Sequence, residues 1–274
     1  MSVFEAIVLG IVQGLTEFLP ISSSGHLRII PAFAGWEDPG AVFTAVIQLG
    51  TMAAVLIYFR HELAKIVMTW LRSLGDRSLR AEPDTRMGWY LIVGTVPIVV
   101  FGFAFRDQIE TGVRNLYLIG TTLIVLGLVL LAADRLARHV RTVEQLTFRD
   151  GIVVGLAQAL ALIPGVSRSG ATMTAGLFFG LTREAAARFS FLLSVPAVVL
   201  SGLYGLRDFA ETDEASYVGA LDLFVGTVTS FVVGYLSIAF LLRYLQSHSM
   251  LAFVIYRVAL GIVVLVLVSN GVIE

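Results

Sequence analysis

Six runs of this chain, near residues 41–59, 87–105, 116–133, 189–206, 219–242 and 250–269, are almost free of charge. At a rise of ~1.5 Å per residue, each is long enough to cross ~30 Å of hydrocarbon as an α-helix. Membrane strands would alternate apolar and polar residues, and none of the six does so. Composition agrees, since 57% of the 274 residues are hydrophobic and 14% charged, with a mean hydropathy of +0.86. That is too apolar for an ordinary soluble domain. The chain reads as an all-α polytopic membrane protein, with a single membrane domain over 1–274.

Two further apolar stretches, roughly 2–34 and 151–181, are interrupted midway by Pro, Gly and Ser. A backbone broken at membrane depth must have its freed N–H and C=O groups satisfied by protein or by a wet cavity. Each stretch is therefore expected to be a re-entrant helical hairpin lining a site. The expected fold is six transmembrane helices plus these two hairpins.

Loop charges set an orientation. Arg60, Lys65, Arg72, Arg77, Arg80 and Arg86 crowd the loop 60–86, and Arg135, Arg138, Arg141 and Arg149 the loop 134–150, so both should be cytoplasmic. The segment 207–218 carries Asp208, Glu211, Asp213 and Glu214 against one Arg, and 106–115 is short and balanced, so both should face outward. Both termini then lie outside, with the first hairpin entering from the outer face and the second from the cytoplasm.

That threading predicts an internal repeat, approximately 1–139 and 140–274. "GIVQGLTE" from Gly10 matches "GIVVGLAQ" from Gly151, and "VGTVPIVVFG" from Val93 matches "VGTVTSFVVG" from Val225. With an odd number of crossings per half, the halves are inverted about an axis in the membrane plane.

A formal net charge of −1 gives no sign of a nucleic-acid partner, and the absence of Cys excludes disulfides and thiolate metal sites. The first basic residue is Arg28, so no positively charged signal-peptide start is present, and the amino terminus is expected to belong to the mature fold.

Chemistry concentrates at the two breaks. Gln13 and Glu17 are four apart and share a helix face. Pro20 stops that helix, and Ser22, Ser23 and Ser24 follow, with Ser24 placed to cap a second helix beginning near Gly25. His26 lies three residues beyond Ser23, within hydrogen-bonding reach across one helical turn. In the second break, "PGVSRSGAT" from Pro164 to Thr172, Arg168 brings a guanidinium fork suited to phosphate. Ser167, Ser169 and Thr172 add hydroxyls there, and Gly165 and Gly170 let backbone N–H groups approach an anion.

Singly, each of these residues has a structural explanation. Together in broken membrane segments they point to a cavity, because ionisable groups at that depth are costly. A carboxylate, an amide, hydroxyls, an imidazole and a guanidinium suit a phosphate ester and a hard divalent cation. They suit a carrier of an anionic lipid or other anion as well, so an enzyme and a flippase or transporter both stay open.

Other residues carry weaker signals. Arg257 in the last run is either a pocket residue or the partner of a buried acid. Asp222, near a membrane end, is expected to be solvated. His61, His139 and His248 fall in loops and are assigned no role. Gly10 and Gly14 form a G-x-x-x-G packing face.

The stretches "QGLTEFLPISSSGHL" and "PGVSRSGAT", with "YRVALG" from Tyr256, resemble the undecaprenyl pyrophosphate phosphatase family, also described as bacitracin-resistance proteins. The resemblance spans essentially the whole chain. It implies a plasma-membrane (inner-membrane) hydrolase that converts undecaprenyl diphosphate to undecaprenyl phosphate and inorganic phosphate. Its active site would open to the outer, periplasmic side, and it would recycle the lipid carrier for cell-wall polymers. By the same resemblance Glu17, Ser23, His26 and Arg168 are catalytic, Gln13 and Glu17 hold Mg2+ or Ca2+, and Ser22, Ser24, Ser167, Ser169, Gly170 and Thr172 surround the substrate. The family's acidic motif admits Glu or Gln at the first position, and Gln13 leaves this chain one carboxylate. The phosphatidic acid phosphatase type fits poorly: the chain has a single Lys, Lys65, no Arg-Pro pair, and no His after Arg168 until His248. Attack by Ser23 with His26 as base, by His26 directly, or by a water oriented by Glu17 all stay open, as does a homodimer.

Overall fold

The computed structural model describes residues 1–105, 115–211 and 219–273, and among them the ordered elements are helical. In chain order the helices are α1 (Val3–Phe18), α2 (Ser23–Ala34), α3 (Gly40–Tyr58), α4 (Arg60–Gly75), α5 (Pro83–Ala104) and α6 (Leu116–Leu136). They continue with α7 (Phe148–Ala159), α8 (Arg168–Phe178), α9 (Arg183–Glu211), α10 (Ala220–Tyr244) and α11 (Leu251–Ser269).

Among the described residues, α5, α6, α10 and α11 are long and apolar enough to cross a membrane. Their large apolar side chains are widely exposed, among them Val100, Leu128, Leu236 and Ile255. A water-soluble fold would bury such side chains, whereas lipid-facing helices leave them outward. The chain is accordingly a multi-pass membrane protein.

Both interrupted stretches form helix, break, helix. Ser2 and Glu5 start α1 with a reciprocal capping box. The helix ends at Phe18 just before Pro20, and α2 begins at Ser23. In the second stretch α7 ends at Ala159, a 3-10 turn covers Leu160–Leu162, and α8 starts at Arg168 beyond Pro164 and Gly165. The cap of α2 is Ser22 rather than the expected Ser24: its backbone takes φ +79° and its hydroxyl accepts from the Gly25 N–H. Ser167 does the same for α8, with φ +66° and a bond from the Gly170 N–H. Positive φ is costly for a residue with a Cβ, so each break holds a strained serine cap.

Helix α1 packs on α10, and α7 packs on α5. These contacts are close because of glycine: a Cβ on Gly10 would meet the Gly226 carbonyl oxygen at 2.6 Å, and one on Gly155 the Gly94 oxygen at 2.4 Å. Helices α3 and α9 pack together, as do α6 and α11. The main core, including Phe18, Phe59, Phe189, Phe191 and Phe253, runs between them.

Two details differ from expectation. Residues 60–75, assigned to a loop, form α4, because Glu62, Ile66, Trp70 and Ser73 recur at helical spacing on one face. Asp222, expected to be solvated, is buried in the first turn of α10, where the helix N-terminus favours its charge. Of the segments assigned to the outer side, 106–114 and 212–218 lie outside the described residues.

Candidate functional site

Glu17, in the last turn of α1, is the hub. It is 6% exposed and each carboxylate oxygen accepts two hydrogen bonds. Oε2 receives Ser23 Oγ at 2.6 Å and Gln13 Nε2 at 3.1 Å. Oε1 receives Gln48 Nε2 at 3.2 Å and Nη2 of Arg168. A buried carboxylate requires such compensation. Arg168 stands at the start of α8, so the acid of the first break and the guanidinium of the second meet directly.

The breaks are stitched together at further points. Ser24 Oγ accepts from the Gly165 N–H at 3.4 Å, and Ser169 Oγ donates to the Leu19 carbonyl at 3.1 Å. Gly165 has φ +85°, and a Cβ there would lie 2.0 Å from Thr122 Oγ1, so the approach of this turn to α6 requires glycine.

Beneath both turns lies Arg257 of α11, fully buried. It is neither a partner of a buried acid nor a free pocket residue. Its guanidinium donates to five carbonyls: Pro20 at 3.1 Å, Leu123 at 3.2 Å, Gly165 at 3.3 Å, and Thr122 and Val166 at 3.4 Å each. Broken helices strand carbonyls, and a fork of five N–H donors answers several at once.

His26 sits on α2 next to Ser23, but the hydrogen bond expected between them is replaced by others. Its Nδ1 is 2.7 Å from the Ser22 carbonyl oxygen, and its Nε2 is 2.7 Å from the Tyr256 hydroxyl. A carbonyl only accepts, so Nδ1 carries the proton and Nε2 accepts from Tyr256 in the neutral ring. The tyrosine ring also stacks on the imidazole, 5.5 Å between centroids and 10° between planes. Ser23 instead gives its proton to Glu17.

The remaining expected residues have defined places. Ser22 and Ser167 are buried and use their hydroxyls as helix caps, while Ser24 is exposed. Gly170 supplies the amide that bonds to Ser167. Thr172 bonds to Ser190 Oγ at 2.6 Å and to the Arg168 carbonyl at 2.8 Å, which anchors α8 against α9. Sequence reasoning missed Gln48, which bonds to Glu17, and Tyr256, which bonds to His26. Gln48 had a signal, since a lone amide in an apolar helix calls for a partner.

The donor set can be weighed against a divalent cation. Among the described residues no group of three or more His, Cys, Asp or Glu side chains is assembled. Beside Glu17, however, Gln13 is 1% exposed and its carbonyl oxygen Oε1 has no hydrogen-bond partner. A carboxylate and an orphaned amide oxygen are hard ligands, and a cation such as Mg2+ takes few of these when substrate phosphates supply the rest. The residues present fit that requirement.

Apolar helices of spanning length, packed around a carboxylate, a guanidinium and a hydroxyl that bond to one another, define a multi-pass membrane protein with a polar site among its helices. The chain belongs to the bacitracin resistance protein BacA family, whose model matches residues 6–263. Curated relatives are similar from end to end. An undecaprenyl-diphosphatase of Nocardioides sp. is 57% identical over 98% of this chain and 97% of its own length. One from Mycolicibacterium smegmatis is 56% identical over 99% of both chains. That of Thermobifida fusca is 55% identical over 99% of this chain and 92% of its own.

Proposed function

We propose that this chain hydrolyses undecaprenyl diphosphate to undecaprenyl phosphate and inorganic phosphate, recycling the lipid carrier for cell-wall synthesis. The observation that carries the chemistry is the Ser23–Glu17–Arg168 chain: a hydroxyl bonded to a carboxylate that is itself bonded to a guanidinium.

In this reading Arg168 turns its fork from Glu17 to the terminal phosphate oxygens, which carry more charge, and orients that phosphorus for attack. Ser23 Oγ forms the new P–O bond as its proton passes to Glu17. The bond between the terminal phosphorus and the bridging oxygen breaks, and undecaprenyl phosphate leaves. Water then cleaves the phosphoserine, releasing inorganic phosphate and restoring Ser23. His26, held by the Ser22 carbonyl, takes this water's proton through the Tyr256 hydroxyl, which donates to its Nε2 and accepts from the water. Gln13 and Glu17 would hold Mg2+ or Ca2+, which when bound supplies positive charge against the diphosphate oxygens. The amides and hydroxyls at the α2 and α8 starts, including Ser24, Ser169 and Gly170, complete the substrate's surroundings.

The finer fold belongs to the same proposal: six spans, two re-entrant hairpins and an inverted repeat. Matching serine caps at Ser22 and Ser167 support it. So does the crossed pairing, in which each "GIV" helix packs on the "VGTV" helix of the other half. The basic residues in 60–86 and 134–150 support a cytoplasmic side for those segments, with the mouth of the site on the opposite, outer side.

Phosphate release from undecaprenyl diphosphate by purified protein in detergent tests the activity. A phosphatase releases phosphate in one compartment, whereas a carrier of the same lipid does not.

A further inference from the structure

Helix α4 follows α3 after the single residue Phe59, and the two axes diverge by 76°. Helix α3 packs along α10, which is of spanning length, and spanning helices tilt by ~20° on average, so a helix leaving α3 at this angle runs along the membrane surface. Its residues divide into three faces. Ile66 and Ser73 are buried, Glu62 pairs with Arg188 of α9, and Trp70 packs edge-on against Trp89 of α5. Val67, Met68, Leu71 and Leu74 form a second stripe at helical spacing, each just over half exposed. Between these faces Lys65 and Arg72 point outward, and Arg77 and Arg80 follow in the exposed 3-10 turn Arg77–Ala81. Lys65 pairs with Asp84, while Arg72, Arg77 and Arg80 make no ion pair among the described residues.

We propose that α4 is an interfacial helix that sinks the Val67–Leu74 stripe into the acyl layer and presents Arg72, Arg77 and Arg80 to anionic phospholipid headgroups of the same leaflet. An apolar stripe beside a basic rim on an otherwise charged helix is the pattern of a segment lying in the membrane plane. The Trp70–Trp89 pair supports this depth, since tryptophan collects at the membrane–water boundary. The lipid surface also continues from the outward apolar residues of α5, Ile92, Val96 and Val100. The inference rests on the multi-pass arrangement and not on the hydrolytic step.

The chain has no cysteine, so single nitroxide labels can be attached at Met68→Cys, Leu71→Cys and Arg72→Cys. In nanodiscs containing phosphatidylglycerol, the ratio of oxygen to nickel-chelate collisions should be about threefold or more higher at 68 and 71 than at 72. Chelate access at 68 and 71 equal to that at 72 would overturn the proposal. The triple variant Arg72→Gln/Arg77→Gln/Arg80→Gln should retain about half or less of the phosphatidylglycerol counted by native mass spectrometry, with phosphate release in detergent unchanged. Equal retention would remove the anionic headgroup from the account. Absence of phosphate release from the wild-type protein in detergent, with the lipid contacts as expected, would instead count against the hydrolytic reading alone.

Discussion

Arg168 donates through Nη2 to Glu17 Oε1 across 151 residues of sequence, and this contact closes the two helix breaks into one site. Each group satisfies the other in a place where neither could remain buried alone. In the proposed reaction this contact is the state before substrate arrives, since the guanidinium proposed to hold phosphate is paired with the carboxylate proposed to accept the serine proton.

Arg257 fastens the two turns from below. Replacing it with Ala leaves five backbone carbonyls without their donor. At ~1–3 kcal/mol per stranded buried group, even partial loss costs ~3 kcal/mol or more. Arg257→Ala should lower the thermal midpoint in detergent strongly, and Arg257→Lys should recover only part of it, since an ammonium lacks the fork.

Gly165 is fixed by its φ of +85° and by Thr122. Gly165→Ala should destabilise by ~2 kcal/mol or more, combining left-handed backbone strain with overpacking. Gly75→Ala, which meets nothing within 4 Å, is the control and should change stability by less than ~1 kcal/mol. Thermal unfolding of both variants checks the contrast.

Tyr256 holds His26 through one hydrogen bond and a stacked ring. In Tyr256→Phe the stacking persists and the bond is lost, so kcat should fall roughly 5–10-fold, the equivalent of ~1 kcal/mol, with KM little changed. Steady-state kinetics with a short-chain prenyl diphosphate measures both. An unchanged kcat would free His26 from this support.

Gln13 offers an amide oxygen with no partner. Gln13→Leu should weaken Mn2+ binding, followed by paramagnetic resonance of the free ion, by about tenfold or more. Equal Mn2+ affinity in the variant would place the cation elsewhere.

Ser23 is the proposed nucleophile. Ser23→Ala should lose turnover by ~10³-fold or more, and wild-type protein quenched in acid should carry phosphate on Ser23 by mass spectrometry. Phosphate found on His26 would transfer the role to the imidazole.

Much of this was legible in sequence because its physics is local. Apolar length announced the long helices, Pro20 and Pro164 announced the breaks, and the carboxylate and arginine singled out inside apolar stretches are the two that the fold pairs. What stayed hidden depends on which side chain faces which. Ser22, not Ser24, caps α2, because the chain accepts a positive φ there. Ser23 turns to Glu17, not His26, because the imidazole is claimed by Ser22 and by Tyr256 on α11, 230 residues away. Arg257 could be seen as costly, yet its partners are backbone carbonyls, which no pattern of side chains discloses. The three faces of α4 were visible at helical spacing, but its charges made it resemble a loop.

The most direct test of the shared site is a double-mutant cycle on undecaprenyl diphosphate hydrolysis with Glu17→Gln, Arg168→Gln and the pair together. If the two residues act as one unit, each single variant loses ~10³-fold or more in kcat/KM and the double variant is little worse than either. Independent losses that multiply in the double variant, or single variants that turn over like the wild type, would contradict it.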